Sequence, residues 1–157
     1  DQIYPGQYLE LAQVEDIKQH ALEGADPDFV RKFKPGDIIV AGTNFGCGSS
    51  REQAAIALKA IGTSVVLAES FARIFYRNAI NLGLPLQVCP GITDHVTTGD
   101  TLKIDLKEGI VHNKSTGAEF KAQQMSGYVF EILEAGGIKP LVKKQLTQFI
   151  SHRPVRI

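Results

Sequence analysis

The chain has 157 residues, 43% hydrophobic and 22% charged, which suits a single globular domain with its own core and argues against disorder. Seventeen basic residues balance seventeen acidic ones, so charge gives no reason to expect nucleic acid or an anionic membrane as partner. The two cysteines, Cys47 and Cys89, are too few to complete a four-cysteine zinc or iron–sulfur site. With no apolar leader and no run of about 18 apolar residues, both thiols are expected reduced and the protein cytoplasmic. A chain that opens on Asp1 instead of Met is expected to have residues before it.

Residues 1–36 begin with the turn-rich Ile3-Tyr4-Pro5-Gly6, then place Val14, Ile17, Ala21 and Leu22 at helical spacing up to Gly24. Asp26-Pro27 reads as an N-cap followed by proline at the first helical position. Residues 37–90 read as strand, helix, strand, helix, strand. Ile38-Ile39-Val40, Ser64 to Ala68 and Leu86 to Cys89 are short apolar runs of the kind buried on both faces. The alanine-crowded stretch from Ser49 to Ile61 and the stretch from Ser70 to Leu82 are the intervening helices, stopped by Gly62 and Gly83. This alternation predicts an α/β fold with a parallel βαβ core. Leu102, Ile104 and Leu106 alternate with polar residues, and Ile110-Val111-His112 returns after Lys107-Glu108-Gly109 as an added β-hairpin. Tyr128 to Ala135 and Ile138 to Leu146 are helical, interrupted at Gly136-Gly137. Residues 1–146 form the predicted domain and 147–157 a C-terminal tail.

Ala41 to Gln53 joins a buried strand to a buried helix, with Gly42, Gly46 and Gly48 allowing close backbone approach to a ligand. Ser49 and Glu52 have capping-box spacing, so the helix is expected to begin at Ser49 or Ser50. Its first-turn N–H groups and the Arg51 guanidinium would make a small anion site at the carboxyl end of the strands. A serine alkoxide stabilised there could abstract a proton. Serines and glutamates at helix starts are more often plain caps than catalysts. The loop also lacks the Gly-Lys-Ser/Thr of a P-loop and the spacing of a dinucleotide loop. None of the four histidines (His20, His95, His112, His152) lies beside it, so a serine–histidine hydrolase has no local support. Two other classes stay open at this point: a non-catalytic anion-binding module, and a thiol-dependent enzyme using Cys47.

Asn44-Phe45-Gly46-Cys47-Gly48-Ser49-Ser50-Arg51-Glu52-Gln53-Ala54 resembles the signature of the swivel domain of the aconitase superfamily, which occurs as a separate small subunit in isopropylmalate dehydratase and homoaconitase. Ser70 to Leu84 resembles the second block of that subunit, Asp1 to Gly6 its opening block and Glu134 to Gly137 its closing one. The resemblance implies a swivelling β/β/α domain, as in the aconitase C-terminal domain, docked on a large subunit that holds a [4Fe–4S] cluster. It implies a hydro-lyase for a hydroxy-dicarboxylate, active only with that partner, in which the cluster's iron is the Lewis acid. Ser49 would be the base, and Ser50 and Arg51 would steady the alkoxide and hold a carboxylate. Asp1 matches an acidic residue near the active site. Cys47 is read as loop packing, and the cluster as the partner's. Arg73 and Arg77, sharing a helix face, are expected at the cleft, at the large subunit or in solvent.

The family is thought to sort substrates at the loop Tyr8-Leu9-Glu10-Leu11. An arginine at the third position suits tricarboxylates, and a valine suits isopropylmalate. Glu10 departs from both. It would repel a third carboxylate, which disfavours homoaconitate and leaves isopropylmalate ahead of dimethylmalate. Residues 7–13 are expected to order when the partner docks. Apolar edges are expected to let the isolated chain self-associate.

Overall fold

The computed structural model describes residues 1–48 and 51–151. Three aliphatic runs form a parallel sheet in the order β1 (Ile38–Ala41), β2 (Val65–Ala68), β3 (Leu86–Val88). Ile39 pairs in register with Val66, and Val66 with Leu86. Strand alternation sends these three toward one face and Val65 and Leu67 toward the other. β2 is buried throughout, as expected of a central parallel strand.

The first face is covered by α3 (Glu52–Ala60) and α4 (Arg73–Leu82), through buried Ala55, Ala57 and Leu58 on one helix and Phe75, Ala79 and Ile80 on the other. Ala55 and Ala57 are fully buried, and α3 lies closest to α4. Before the sheet come α1 (Val14–Ile17) and α2 (Phe29–Lys32). The spacing of Val14, Ile17, Ala21 and Leu22 suggests one longer helix. Instead α1 tightens into a 3₁₀ turn over Lys18–His20, and Leu22 takes a left-handed φ of 55°. Asp26 accepts from the Asp28 amide at 3.0 Å as a turn residue, and α2 itself starts after Asp28.

The opposite face carries an antiparallel sheet, β4 (Leu102–Asp105), β5 (Ile110–Asn113) and β6 (Glu119–Lys121). The expected hairpin is therefore a three-stranded meander. Its last strand escapes pattern reading because Phe120 is its one apolar residue. Val111, with Leu102, Ile104 and Phe120 packed around it, closes a second core over Val65, Leu67, Cys89 and Ile92. The layers are thus meander, parallel sheet and helices: the β/β/α architecture that the resemblance implies.

α5 (Gly127–Glu134) is capped by Ser126, whose hydroxyl accepts from the Val129 amide at 3.3 Å. After Gly136-Gly137, α6 (Ile138–Ser151) continues past Leu146, where a tail is expected; residues 152–157 of that tail lie outside the described residues. Lys59 ties these pieces together, donating to the Leu82 carbonyl at the end of α4 and, at 3.3 Å, to the Gly136 carbonyl after α5. A cation there complements the negative ends of both helices. Among the described residues, no helix is long and apolar enough to cross a membrane.

Two helix starts differ from the sequence reading. α3 begins at Glu52, because Arg51 is extended (φ −130°, ψ 125°) and serves as the N-cap. α4 begins at Arg73, because Phe71 forms a parallel bridge with Phe45. That bridge pins the glycine-rich loop. Gly46, at φ 84°, lies flat on Phe75, and a Cβ there would sit 2.2 Å from the ring carbon Cγ. Gly46→Ala should therefore lower stability by at least about 2 kcal/mol in urea unfolding, through clash and a strained φ. Gly42→Ala, which meets nothing within 4 Å, should be close to neutral in the same titration.

Candidate active site

The sheet positions the site by ending β1 at Ala41 and sending the chain across the strand ends before it turns into α3. The loop is held from the side by the segment before α4. The Asn44 amide donates to Ser70 Oγ at 2.8 Å, the Phe45 amide to the Ser70 carbonyl at 2.9 Å, and the Ala72 amide to the Phe45 carbonyl at 2.9 Å. Phe45 meets Phe71 and Phe75 edge-on, with ring centroids 6.1 and 5.4 Å away. Asn44 holds a left-handed φ of 55°, which asparagine tolerates better than most residues. Ser70 was legible only as the first residue of the second sequence block; nothing in its local spacing marks it as an anchor.

A cleft of about 640 Å³ opens between this loop and the N-terminal strap. Its walls include Asp1, Tyr4, Asn44, Cys47 and Arg51, and Ile39 and Phe75 lie at its apolar floor. Arg51 is the central charge. Its side chain is only 20% exposed, and Nη1 donates to Asp1 Oδ1 at 2.8 Å and to the Tyr4 carbonyl at 3.5 Å. Gly6 packs against it: a Cβ at that residue would lie 3.0 Å from Nη1. The guanidinium is thus fixed at the positive end of α3, with N–H groups left to meet an anion.

The structure brings Arg51 and Asp1 together, fifty residues apart in sequence. Ser49 and Ser50 lie outside the described residues. Tyr8, Leu9, Glu10 and Leu11 do not line the cleft. Leu9 and Leu11 pack against the protein's own core, and Glu10 points into solvent. Residues 7–13 follow a defined path through a 3₁₀ turn at Gly6–Tyr8. The Tyr8 carbonyl accepts from Tyr4 Oη at 2.9 Å, and the Leu9 carbonyl from Gln53 Nε2 at 3.3 Å. Tyr8 itself stacks on His20, centroids 3.5 Å apart, and donates its hydroxyl to Glu23 Oε1 at 3.0 Å. Glu23 Oε2 meets His20 Nδ1. Sequence spacing gave no sign of this group beyond the i,i+3 interval of His20 and Glu23.

Arg73 and Arg77 are exposed on α4 and outside the cleft lining. Cys89 lies in the second core, where burial pushes its thiol above the ordinary 9.0. Cys47 is exposed at the cleft. Among the described residues, no three His, Cys, Asp or Glu side chains converge as metal ligands, so this donor set does not suit an iron–sulfur cluster.

The model of the aconitase C-terminal domain matches residues 3–90, and the chain belongs to that family. It is 54% identical to 3-isopropylmalate dehydratase small subunit 1 of Methanopyrus kandleri, over 92% of this chain and 85% of that one. It is 53% identical to the isopropylmalate/citramalate isomerase small subunit of Methanocaldococcus jannaschii, over 94% and 88%. The crystal structure of 3-isopropylmalate dehydratase from Methanocaldococcus jannaschii superposes with a TM-score of 0.89 at 45% identity, covering 96% of this chain and 90% of that one.

The hydrogen bond from His20, then that from Tyr8, holds the Glu23 carboxyl below its ordinary 4.5. A depressed carboxyl contributes stability that is complete above the ordinary value and is lost as pH falls through the folded one. In thermal melts across pH 3–7, the wild type should exceed Glu23→Gln modestly above pH 4.5, and the gap should close below it.

Proposed function

We propose that this chain is the small subunit of a hydro-lyase of the 3-isopropylmalate dehydratase type, which removes water from an alkylmalate and adds it back one carbon away. The observation that carries this reading is the placement of Arg51: four-fifths buried, aligned by Asp1, and set where α3 presents its positive end to a cleft. Support also comes from relatives bearing that activity in their names over more than nine-tenths of the chain.

Arg51 binds a substrate carboxylate through N–H groups not taken by Asp1 and Tyr4. Ser49, two residues before Arg51 in the sequence, acts as an alkoxide that Ser50 helps stabilise; it takes the proton from carbon and becomes a hydroxyl. A positive helix end and a guanidinium lower the cost of that alkoxide in a cleft partly withdrawn from water. A [4Fe–4S] cluster held by a large subunit would supply the Lewis acid for the departing hydroxyl. Dehydration thus requires both chains, acting in the cytoplasm as a step of leucine biosynthesis.

Glu10 is exposed and outside the cleft lining, and Ile39 and Phe75 give the cleft an apolar floor suited to an alkyl group. A citramalate, with methyl in place of isopropyl, is a second reading favoured by the name of the Methanocaldococcus jannaschii relative.

The test is turnover by this chain mixed anaerobically with the large subunit of its own organism, on isopropylmalate, citramalate, dimethylmalate and homoaconitate in parallel. An alkylmalate should turn over, Ser49→Ala should lower kcat by about 10²- to 10⁴-fold, and Arg51→Lys should lower kcat/KM about tenfold or more. A stable complex with an intact cluster and no turnover on any of the four overturns the proposal.

A further inference from the structure

We propose that Glu23 and His20 are positioning residues: by gripping Tyr8 they fix the 5–11 loop against the helix that carries Arg51, and so set how well the site discriminates between substrate substituents. The bearing on substrates rests on the reading of Arg51 given above; the clamp itself does not.

The loop makes few bonds of its own. The Tyr8 and Leu9 amides reach back to Pro5 and Gly6, and the Leu11 amide to the Tyr8 carbonyl, at 3.1–3.3 Å. Three groups of the body hold it instead. Tyr4 Oη donates to the Tyr8 carbonyl, Gln53 Nε2 donates to the Leu9 carbonyl, and the Tyr8 ring is captured between a stacking partner and a carboxylate. Glu23 uses both oxygens at once, one for the Tyr8 hydroxyl and the other for His20 Nδ1. His20 is thereby oriented face-on to the tyrosine, with 16° between the ring planes. Both side chains are largely withdrawn from solvent, at 24% and 28% exposure, so neither bond is a freely rotating surface contact.

The other end of the loop lies at the site. The Gly6 backbone packs on the Arg51 guanidinium, the Tyr4 carbonyl accepts from it, and Gln53 stands two residues beyond Arg51 in α3. Residues 1–4 line the cleft and lead directly into this loop, whose Gly6 packs on the guanidinium that would hold a bound group. A loop freed at Tyr8 would still carry the same residues, with its distance from Arg51 no longer fixed. A misplacement of about 1 Å beside a reacting group can cost about 10²-fold in rate, and one methylene is worth about tenfold or more in discrimination.

Two substitutions separate positioning from mere stability. Glu23→Ala removes both bonds. Glu23→Gln retains a carbonyl oxygen for Tyr8 and an amide that donates to His20 Nδ1. In the free chain, Glu23→Ala should speed amide hydrogen exchange about tenfold over residues 5–11 and leave β1, β2 and β3 unchanged, while Glu23→Gln should stay close to wild type. In the complex with the large subunit, Glu23→Ala should raise KM for the preferred alkylmalate. It should also shift the isopropylmalate-to-citramalate ratio of kcat/KM by about tenfold, with kcat within about twofold and Glu23→Gln restoring the ratio. Unchanged exchange over 5–11 in Glu23→Ala overturns the clamp. Faster exchange with an unchanged ratio overturns the role in discrimination. A wild-type complex without alkylmalate turnover would instead overturn the proposed activity, and the exchange experiment would still decide the clamp.

Discussion

The contact between Gly46 and the ring of Phe75 is the constraint on which the site depends. It sets the glycine-rich loop down on α4, and the bridge from Phe45 to Phe71 together with the Ser70 bonds fixes it there from both sides. The chain enters α3 extended at Arg51, whose side chain lines the cleft. The parallel sheet, the alanine-lined helix and the aromatic cluster act through this one placement. Their packing energy appears at the site as geometry, which is how a scaffold preorganises a charge without touching the ligand.

A second constraint acts from the N-terminal strap. Asp1 and the Tyr4 carbonyl share Nη1 of Arg51, so the charge is oriented, and partly satisfied, before any substrate arrives. The Arg51 side chain is one-fifth exposed overall, so part of its water is already removed before an anion binds. The same strap leads into the loop clamped at Tyr8, so residues 1–11 are tied at one end to Arg51 through Asp1 and at the other to Gln53 and Glu23 through Leu9 and Tyr8.

Much of this was legible from local chemistry. The short aliphatic runs, the alanine crowding and the stops at Gly62 and Gly83 gave the parallel core and its two helices, because burial on both faces leaves a continuous apolar signature. The helix starts were misplaced by a few residues. Ser49 and Glu52 have capping spacing, yet Arg51 holds the N-cap, and Phe71 is drawn into a bridge before α4 can begin. β6 is three residues long with one apolar position, too short for alternation to show. At the site, Arg51 stood out by charge and position in the loop. Its pairing with Asp1 was not legible, since fifty intervening residues carry no periodic signal. The Tyr8–His20–Glu23 group was beyond reach altogether: aromatic, imidazole and carboxylate meet through a 3₁₀ turn and a left-handed Leu22 that no propensity indicates.

The strand order has one more consequence. Many open α/β sheets reverse direction along their edge, and the gap between helices diverging to opposite faces forms a two-walled crevice. Here the order β1-β2-β3 never reverses, both crossover helices lie on the same face, and the meander fills the other. No crevice arises from topology, and the loop after β1 sits at the rim of the sheet, walled on one side by the strap. Such a site is half of a mould. Because the cleft's own wall belongs to this domain, a second body closing it would move against it as a rigid unit without breaking a strand pair.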